Sequence, residues 1–201
     1  MTLARNSSHR SAPPPRSQLR IIGGRWRGRK LQFAAVAGLR PTGDRLRETL
    51  FNWLQCYLPG THCLDLFAGS GALGLEALSR GATSVDFVEL NTQAVRTLKE
   101  QLQLVGAFGA QVYNCSAHDF LAGTSKKYDI VFVDPPFAGN LWQESFNALE
   151  NHLAQEALVY VETPRNTALP IPPHWQLGRE KATGQVCMRL YHCAPSCSAG
   201  P

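Results

Sequence analysis

The chain has 201 residues, of which 44% are hydrophobic and 17% are charged, a balance typical of one folded domain rather than of a disordered or fibrous protein. No apolar run approaches the ~20 residues that a membrane-spanning helix needs, which excludes a helical membrane protein. The net charge of +5 is uneven, because residues 1–47 hold 11 of the 20 Lys and Arg but one acidic residue, whereas the remainder holds 9 basic and 14 acidic residues. A basic arm on a mildly acidic domain indicates a polyanion partner, most simply a nucleic acid.

The first 19 residues are rich in Ser, Pro and Arg, and we expect them to be a disordered basic tail. They contain no apolar stretch, which argues against a secretory signal. The prolines at positions 13–15 would break the amphipathic helix of a transit peptide. The expectation is therefore a cytoplasmic protein, and a solvated, solubilising tail is the alternative to a tail that binds nucleic acid.

A small β-hairpin is predicted from residue 20 onward. Ile21 and Ile22 begin a short strand, two glycines form the turn, and residues 25–31 form the return strand. The basic residues of this segment are Arg20, Arg25, Arg27, Arg29 and Lys30. Such cations neutralise phosphates, and the interleaved Trp26 offers a flat face that can stack on an unpaired base. A hairpin with solvated arginines is the alternative, but this density of positive charge favours contact with RNA or DNA.

An amphipathic helix is predicted before Pro59-Gly60. Pro41 prevents an earlier start, and Thr42 or Asp44 is suited to cap the helix. Apolar residues recur at helical spacing and should face the core: Leu46, Leu50, Trp53, Leu54, Tyr57 and Leu58. Charged side chains near its beginning suit an ordinary solvated helix face: Arg45, Arg47 and Glu48. Residues 20–60 are thus predicted to form an N-terminal hairpin and helix.

The stretch 64–74 joins an apolar strand to a helix through a glycine-rich turn. Gly69, Gly71 and Gly74 satisfy the pattern G-x-G-x-x-G. Glycine permits a positive φ in the turn and lets backbone N–H groups approach a ligand closely. A strand, a turn and a helix N-terminus together form a nucleotide pocket at the carboxyl edge of a parallel sheet. The pattern alone does not separate a dinucleotide from S-adenosylmethionine, and a helix packed tightly on a strand would also require such glycines.

From residue 61 onward, short apolar runs alternate with helical segments. Strands are predicted at 62–67, 84–89, 110–115, 128–134 and 157–162, and helices at 72–80, 91–105, 117–122 and 140–153. Segments 175–181 and 185–192 read as an antiparallel pair, and residues 194–201 as a frayed tail. This alternation predicts a doubly wound, Rossmann-like α/β sheet over 61–193, mostly parallel with an antiparallel C-terminal hairpin.

The six cysteines include no C-x-x-C pair, and reduced thiols are the expectation. Four residues near the C-terminus lie close enough in sequence to suggest zinc: Cys187, His192, Cys193 and Cys197. Their spacing fits no familiar ligand pattern, so we predict no metal.

Acidic residues stand at the ends of the first two strands of this domain. Asp65 precedes the glycines, where a carboxylate would face the ligand pocket. Glu89 ends the second strand 20 residues after Gly69, a placement suited to accepting hydrogen bonds from a ribose diol. Asp86 should point to the other face of its strand and is the weaker candidate. NAD remains an open alternative at this point.

The end of the fourth strand carries the run Val133 to Phe137, with Asp134, Pro135 and Pro136 between them. The two prolines fix φ and remove backbone donors, so the carbonyl groups here are held rigidly and left free to accept. Asp134 adds a carboxylate acceptor and Phe137 a flat apolar face. Such a corner suits an exocyclic amine on a planar base, because acceptors for its N–H groups turn the nitrogen lone pair toward an electrophilic methyl group. A Pro-Pro turn after a buried strand is the alternative.

These motifs, in this order and spacing, resemble those of class I S-adenosylmethionine-dependent amino-methyltransferases. The glycine motif can be written Asp65-x-Phe67-x-Gly69-Ser70-Gly71. The flanks narrow the resemblance to the RsmD family, through the segments 20–28, 39–52 and 157–162. It covers the chain from about Arg20 to His192. The resemblance implies methylation of the N2 amine of a guanine, numbered 966, in 16S rRNA of the small ribosomal subunit, with S-adenosylmethionine as methyl donor.

The resemblance also implies roles for individual residues. The candidates for binding the cofactor are Asp65 near its methionine part, Phe67, Gly69, Ser70 and Gly71 beneath it, Glu89 and Leu90 at the ribose, and Ser116 and Ala117 at the adenine. Asp119 is an alternative acceptor for the adenine. The guanine would be held by Asp134, Pro135, Pro136 and Phe137. The residues expected to contact RNA phosphates are Arg20, Arg25, Arg27, Arg29, Lys30, Arg45 and Arg47. Arg40 and Thr42 could contact either the carboxylate of the cofactor or the RNA.

The resemblance therefore implies a 16S rRNA guanine-N2 methyltransferase. We expect it to act as a monomer on a small-subunit assembly particle, and naked rRNA is the alternative substrate. A methyltransferase acting on adenine N6 in DNA is the enzyme alternative, since its amine pocket would be chemically similar. An RNA-binding assembly factor without activity is the alternative from another class of protein.

Overall fold

The computed structural model describes residues 16–34, 43–136 and 141–193, and the structural statements below concern these residues. Their strands are β1 Arg16–Arg20, β2 Lys30–Ala34, β3 His62–Asp65, β4 Ser84–Val88, β5 Ala110–Tyr113, β6 Tyr128–Val133, β7 Leu153–Pro164, β8 Trp175–Thr183 and β9 Val186–Cys193. Their α-helices are α1 Asp44–Trp53, α2 Ala72–Ser79, α3 Thr92–Val105, α4 Ala117–Gly123 and α5 Leu141–Leu149. Single turns of 3-10 helix stand at Gly24–Trp26 and Glu150–His152.

Seven strands form one sheet in the order β5-β4-β3-β6-β7-β9-β8. The strands from β5 to β7 run parallel, and β9 is antiparallel to both β7 and β8. The predicted α/β sheet with an antiparallel C-terminal hairpin is confirmed. Strand order reverses between β3 and β6, and such a switch point opens a crevice at the carboxyl ends of the strands.

Helices cover both faces of the sheet. Successive residues of β6 alternate between two apolar clusters, with Ile130 and Phe132 in one and Val131 and Val133 in the other. The first cluster includes apolar residues of α1, α2 and α3, and the second includes those of α4 and α5. This double cover explains why the central strands read as nearly continuous apolar runs.

The N-terminal hairpin exists, but β1 precedes its predicted position and β2 overlaps the predicted return strand only at Lys30 and Leu31. β1 begins at Arg16, inside the segment predicted to be disordered, because Leu19 is buried and pairs with Leu31 of β2. Ile21 and Ile22 follow the strand rather than begin it. The N–H groups of Ile22 and Gly23 donate to the Glu76 carboxylate of α2, at 2.8 and 2.7 Å, and this draws the chain out of the ladder.

β7 is longer than predicted and begins immediately after the second 3-10 turn. Leu153 pairs with Tyr128 at the start of β6, and the register then shifts before Leu158 pairs with Ile130. Glu156 has a φ of 63°, which accommodates the extra residues as an irregularity in the strand. An isolated left-handed residue of this kind is not visible in apolar periodicity, so the predicted helix ran on to residue 153.

No helix in the described parts of the chain combines the length and the apolar character needed to cross a membrane.

Candidate active site

The glycine turn lies between the carboxyl end of β3 and the beginning of α2, next to the switch point. Gly69 and Gly71 have φ values of 52° and 74°, a region that side-chain-bearing residues avoid. Ala68 N–H donates to Val88 O at 2.8 Å, and this ties the turn to the neighbouring strand β4. A Cβ on Gly74 would collide with the Phe87 ring, so the third glycine allows α2 to pack closely on the sheet. The motif therefore serves both backbone conformation and helix packing.

Asp65 lies beneath the glycine turn and is not exposed at the surface. Its side chain is buried and its Oδ2 accepts the N–H of Gly74 at 3.0 Å. Burial raises the pKa of Asp65 to about 7, despite this hydrogen bond, and the nearby Glu89 charge also raises it. Asp65 is therefore directed at the first turn of α2, and its expected place near the methionine part of the cofactor stays a prediction.

Glu89 follows β4 and reaches across to the turn. One carboxylate oxygen accepts Gly69 N–H and the other accepts Asn91 N–H, both at 2.7 Å. The next side chain, Leu90, is 70% exposed. An acidic group fixed by two backbone donors, followed by an exposed apolar side chain, presents acceptors and an apolar surface at the carboxyl edge of the sheet.

Ser116 and Ala117 lie where β5 passes into α4, along the same edge. Ser116 caps α4 by accepting the N–H of Asp119 at 3.0 Å, and its hydroxyl donates to the Asp119 carboxylate at 2.7 Å. The hydrogen bond from the Ser116 hydroxyl, with a contribution from His118, lowers the pKa of Asp119. Ser116 rather than Asp119 is the cap, and the two side chains form one hydrogen-bonded unit.

Asp134 and the two prolines follow β6 directly. Asp134 is half-buried, Pro135 is buried and Pro136 is exposed. Burial raises the pKa of Asp134 well above its usual range, and the charges of Glu162 and Asp65 raise it further. Phe137 lies outside the described residues. The corner therefore places a carboxyl group of raised pKa at the carboxyl edge, one strand away from the glycine turn.

Glu162 is a further carboxyl group of this edge, and the sequence reasoning did not select it. Val133 of β6 pairs with Val161 of β7, so Glu162 follows the register position next to Asp134. Glu162 is buried and accepts the Tyr160 hydroxyl at 3.0 Å. The signal in the sequence was an acidic residue at the end of an otherwise apolar strand, as at Glu89.

Comparison with known proteins relates this arrangement to a family. A family model described as "Conserved hypothetical protein 95" matches residues 19–192. Ribosomal RNA small subunit methyltransferase D of Escherichia coli strain K12 is 51% identical over 177 residues, covering 87% of this chain and 89% of that protein. The protein of the same name from Haemophilus influenzae is 48% identical over 185 residues, covering 89% and 96%.

The chain belongs to the RsmD family.

Solved structures agree with the sequence comparisons. A putative methyltransferase, yhhF, from Escherichia coli superposes with a TM-score of 0.81 at 49% identity and covers 90% of this chain and 100% of its own. A putative methylase, HI0767, from Haemophilus influenzae superposes with a TM-score of 0.76 at 44% identity and covers 89% and 99%. These neighbours and the family place the fold among the class I methyltransferases.

Most of the basic residues expected to bind RNA in this RsmD-family chain lie at the surface. The exposed ones are Arg20, Arg25, Arg27, Arg29, Lys30 and Arg45. Arg40 and Thr42 fall outside the described residues. Trp26 is buried in the first apolar cluster, so its predicted stacking on a base does not fit the structure. The Arg25 guanidinium covers the Trp26 ring at 4.1 Å from the centroid.

Arg47 is a correction to the sequence-based assignment. Its side chain is fully buried, with Nη2 at 2.6 Å from Asp44 and 2.9 Å from Arg20 O, and Nη1 at 3.7 Å from Glu76. A side chain with no exposure cannot reach an RNA phosphate. Arg47 instead joins α1 to the N-terminal hairpin and to α2, because Glu76 supplies the countercharge inside the protein.

The residues the structure describes contain no group of three or more His, Cys, Asp or Glu side chains that could hold a metal ion. Of the four residues considered for zinc, Cys197 lies outside the described part of the chain. Cys187 and Cys193 are free thiols in strand β9.

Proposed function

We propose that this methyltransferase transfers a methyl group from S-adenosylmethionine to the exocyclic N2 amine of a guanine, numbered 966, in 16S rRNA. The observation that carries the proposal is the arrangement of Asp134, Pro135 and Pro136 one strand away from the glycine turn, at the same edge of the sheet. The names of the curated relatives supply the class of substrate. We further propose that the chain acts as a monomer on an assembling small subunit.

The residues along the carboxyl edge fit the proposed cofactor chemically. Glu89 presents fixed carboxylate acceptors suited to ribose hydroxyls, and the exposed Leu90 offers an apolar contact for adenine. Gly69, Ser70 and Gly71 would lie beneath the cofactor, where the absence of two side chains admits a close approach. Phe67 and the Ser116–Ala117 segment would complete its surroundings. The cofactor would supply an activated methyl group on a sulfonium, so the acceptor site requires no metal.

The acceptor corner would act by orienting the guanine amine. An exocyclic amine is a weak nucleophile because its lone pair is delocalised into the ring. Asp134 and the carbonyl groups fixed by the two prolines would accept its N–H hydrogens and favour a pyramidal nitrogen. Phe137 would stack on the base. As the nitrogen gains the methyl group it must lose one proton, and Asp134, whose pKa is raised, is suited to take that proton at neutral pH.

The Asp134→Ala variant tests the proposal. This substitution should reduce methyl transfer to rRNA by roughly 10²- to 10³-fold, the range for loss of one well-placed polar group, while binding of rRNA is retained. Transfer would be followed with a tritiated methyl donor, and binding by filter retention of labelled 16S rRNA. Asp129→Ala is the matched control, since Asp129 lies near the start of β6, at the other edge of the sheet, and accepts His62 N–H.

Two results would contradict the proposal. Label in duplex DNA without label in rRNA or in small-subunit particles would indicate an adenine-directed enzyme. Full support of subunit assembly by Asp134→Ala would indicate an RNA-binding factor whose function does not require catalysis.

A further inference from the structure

The basic tip of the N-terminal hairpin lies at the end of the molecule opposite the candidate active site. Trp26 N–H donates to Ser79 Oγ at 3.0 Å, and Ser79 Oγ donates to Gly23 O at 2.6 Å. Ser79 is the last residue of α2, whose first residue follows the glycine turn. The 3-10 turn of the hairpin is thereby fixed at the amino edge of the sheet.

The C-terminal end of α3 meets the hairpin at this same amino edge. Arg29 Nη1 donates to Leu104 O at 3.4 Å. α3 begins after Glu89, at the carboxyl edge, and runs back over 14 residues. At 1.5 Å per residue this helix is roughly 21 Å long, so the hairpin tip lies on the order of 20 Å from the cofactor edge.

Two exposed apolar side chains lie at this same amino edge, near the Leu104 carbonyl that Arg29 contacts. Leu104 is 68% exposed and Phe108 is 84% exposed. Phe108 lies in the turn between α3 and β5, just before Gly109, whose O accepts Val85 N–H at the start of β4. We call the set the distal patch: Arg25, Arg27, Arg29, Lys30, Leu104 and Phe108.

The chemistry of the distal patch favours RNA over an apolar partner. Its four cations fall within six residues and have no acidic partner among the ion pairs of the described residues. Uncompensated positive charge of this density attracts phosphates, and an exposed phenyl ring stacks on unpaired bases of any sequence. An acidic protein surface would pair with the cations but would leave the Phe108 ring without a flat partner.

We propose that the distal patch docks a segment of rRNA remote from the methylated guanine, so that the enzyme holds its substrate at two places on opposite edges of the sheet. This inference rests on the proposed function for the identity of the RNA. It extends that function, because it makes recognition depend on RNA structure on the order of 20 Å from the reacting base.

Two variants separate the contributions of stacking and charge. Phe108→Ser should weaken binding of full-length 16S rRNA roughly tenfold, the consequence of losing one stacked base. Arg27→Gln combined with Arg29→Gln should reduce the slope of log affinity against log salt concentration by about 0.7 to 0.9 per cation removed. The controls are Leu177→Ser and Arg179→Gln on β8, the strand at the opposite side of the sheet, and these should bind as the wild type does.

A short stem–loop carrying the target guanine supplies the spatial test. It spans the acceptor corner but does not reach the distal patch, so wild type and variants should bind it equally. Equal loss on the short and the long RNA would place the contact near the reacting base and overturn the inference. Unchanged binding to naked 16S rRNA, with loss of methylation confined to protein-containing particles, would indicate a protein partner and also overturn it. Thermal unfolding of each variant confirms that the fold is retained.

The outcomes are separable from failure of the proposed function. If the wild type transfers no methyl group to rRNA, the proposed function fails. If the wild type methylates rRNA but the distal variants bind and methylate it as well as the controls do, the further inference alone fails.

Discussion

Asp134 and Glu162 each follow one member of the paired residues Val133 of β6 and Val161 of β7, and the Glu162 charge raises the pKa of Asp134 in addition to the effect of burial. In the proposed mechanism Asp134 must be ionised to accept the hydrogens of the guanine amine, so the rate of methyl transfer should rise with pH through the raised pKa of Asp134. Two like charges at close range cannot both ionise as easily as one. The acidic limb of the pH–rate profile should therefore lie above the usual range of an aspartate.

Glu162→Gln should move that acidic limb to lower pH, because the substitution removes the negative charge that raises the Asp134 pKa. The measurement is the rate at saturating substrate across a pH series. Glu144→Gln, on the exposed side of α5, is the control and should leave the limb in place. If the limb is the same in Glu162→Gln and in the wild type, Glu162 does not influence the reacting group.

Asp65 predicts a dependence of stability on pH. Its pKa is about 7 in the folded chain against 3.8 for the ordinary group, so folding favours the protonated form. The stability it contributes is fully present below about pH 4 and is lost as the pH rises to about 7. At about 1.4 kcal/mol per pKa unit, the loss reaches as much as about 4 kcal/mol.

The pH dependence of stability can be measured by urea unfolding of the wild type and of Asp65→Asn between pH 4 and pH 8. The free energy of unfolding of the wild type, relative to that of Asp65→Asn, should fall across the interval, because the amide does not titrate. A difference that stays constant with pH would show that Asp65 titrates normally.

Arg47 shows why single residues are hard to assign from sequence. The glycines, Asp134 and Glu89 sit next to strong local signals, such as a turn or the end of a strand, and their placement at one edge followed from the topology. Arg47 lies in a run of charged residues at the start of a helix, and nothing local distinguishes it from the exposed Arg45. Its burial depends on Glu76, which lies 29 residues away and was itself hidden in an apolar helix.

Glu76 of α2 contacts the N-terminal hairpin, α1 and the C-terminal end of its own helix. Its carboxylate accepts two hairpin N–H groups and the Arg80 Nε at 2.7 Å, and it lies 3.7 Å from Arg47 Nη1. Arg47 Nε and Nη1 have no hydrogen-bond partner among the residues that the structure describes. A buried cation of this kind depends on the nearby carboxylate, so removal of Glu76 would leave an uncompensated charge.

Glu76→Ala should therefore destabilise the chain by about 3–5 kcal/mol, measured by chemical denaturation. The double variant Glu76→Ala, Arg47→Met should recover part of that loss, because it also removes the stranded charge. Glu100→Ala breaks an exposed helical pair with Arg96 and should cost less than about 1 kcal/mol. Equal losses in the single and double variants would show that the effect is packing rather than charge.

The bounds of helices with a regular apolar periodicity follow closely from the sequence. The bounds of elements that depend on hydrogen bonds to residues far away in the sequence do not. α3 was predicted at 91–105 and observed at Thr92–Val105, because its apolar face and its capping Asn91 are both local. The hairpin turn was misplaced, since the two backbone donors that end β1 bond to a side chain more than 50 residues away. Periodicity contains no information about such a partner.

The N-terminal region and the sheet share one core. Trp26, Leu31 and Phe33 belong to the same buried cluster as Phe132 and Leu158 of the sheet. The boundary predicted near residue 60 stays a prediction, and the hairpin packs on α2 and α3. The basic surface is thereby held in a fixed relation to the carboxyl edge, which is the condition for recognising a folded RNA at two places.

The contact between Trp26 and Ser79 also has a consequence for synthesis of the chain. The two residues are 53 positions apart, so at ~5–20 residues per second the hairpin waits roughly 3–10 s for the helix that covers it. During that interval its apolar face is available to chaperones and proteases. Nascent chains stalled before residue 80 should be cleaved within the hairpin by a probing protease, and chains stalled after the sheet is complete should resist. Equal protection at both lengths would show that the hairpin folds without its cover.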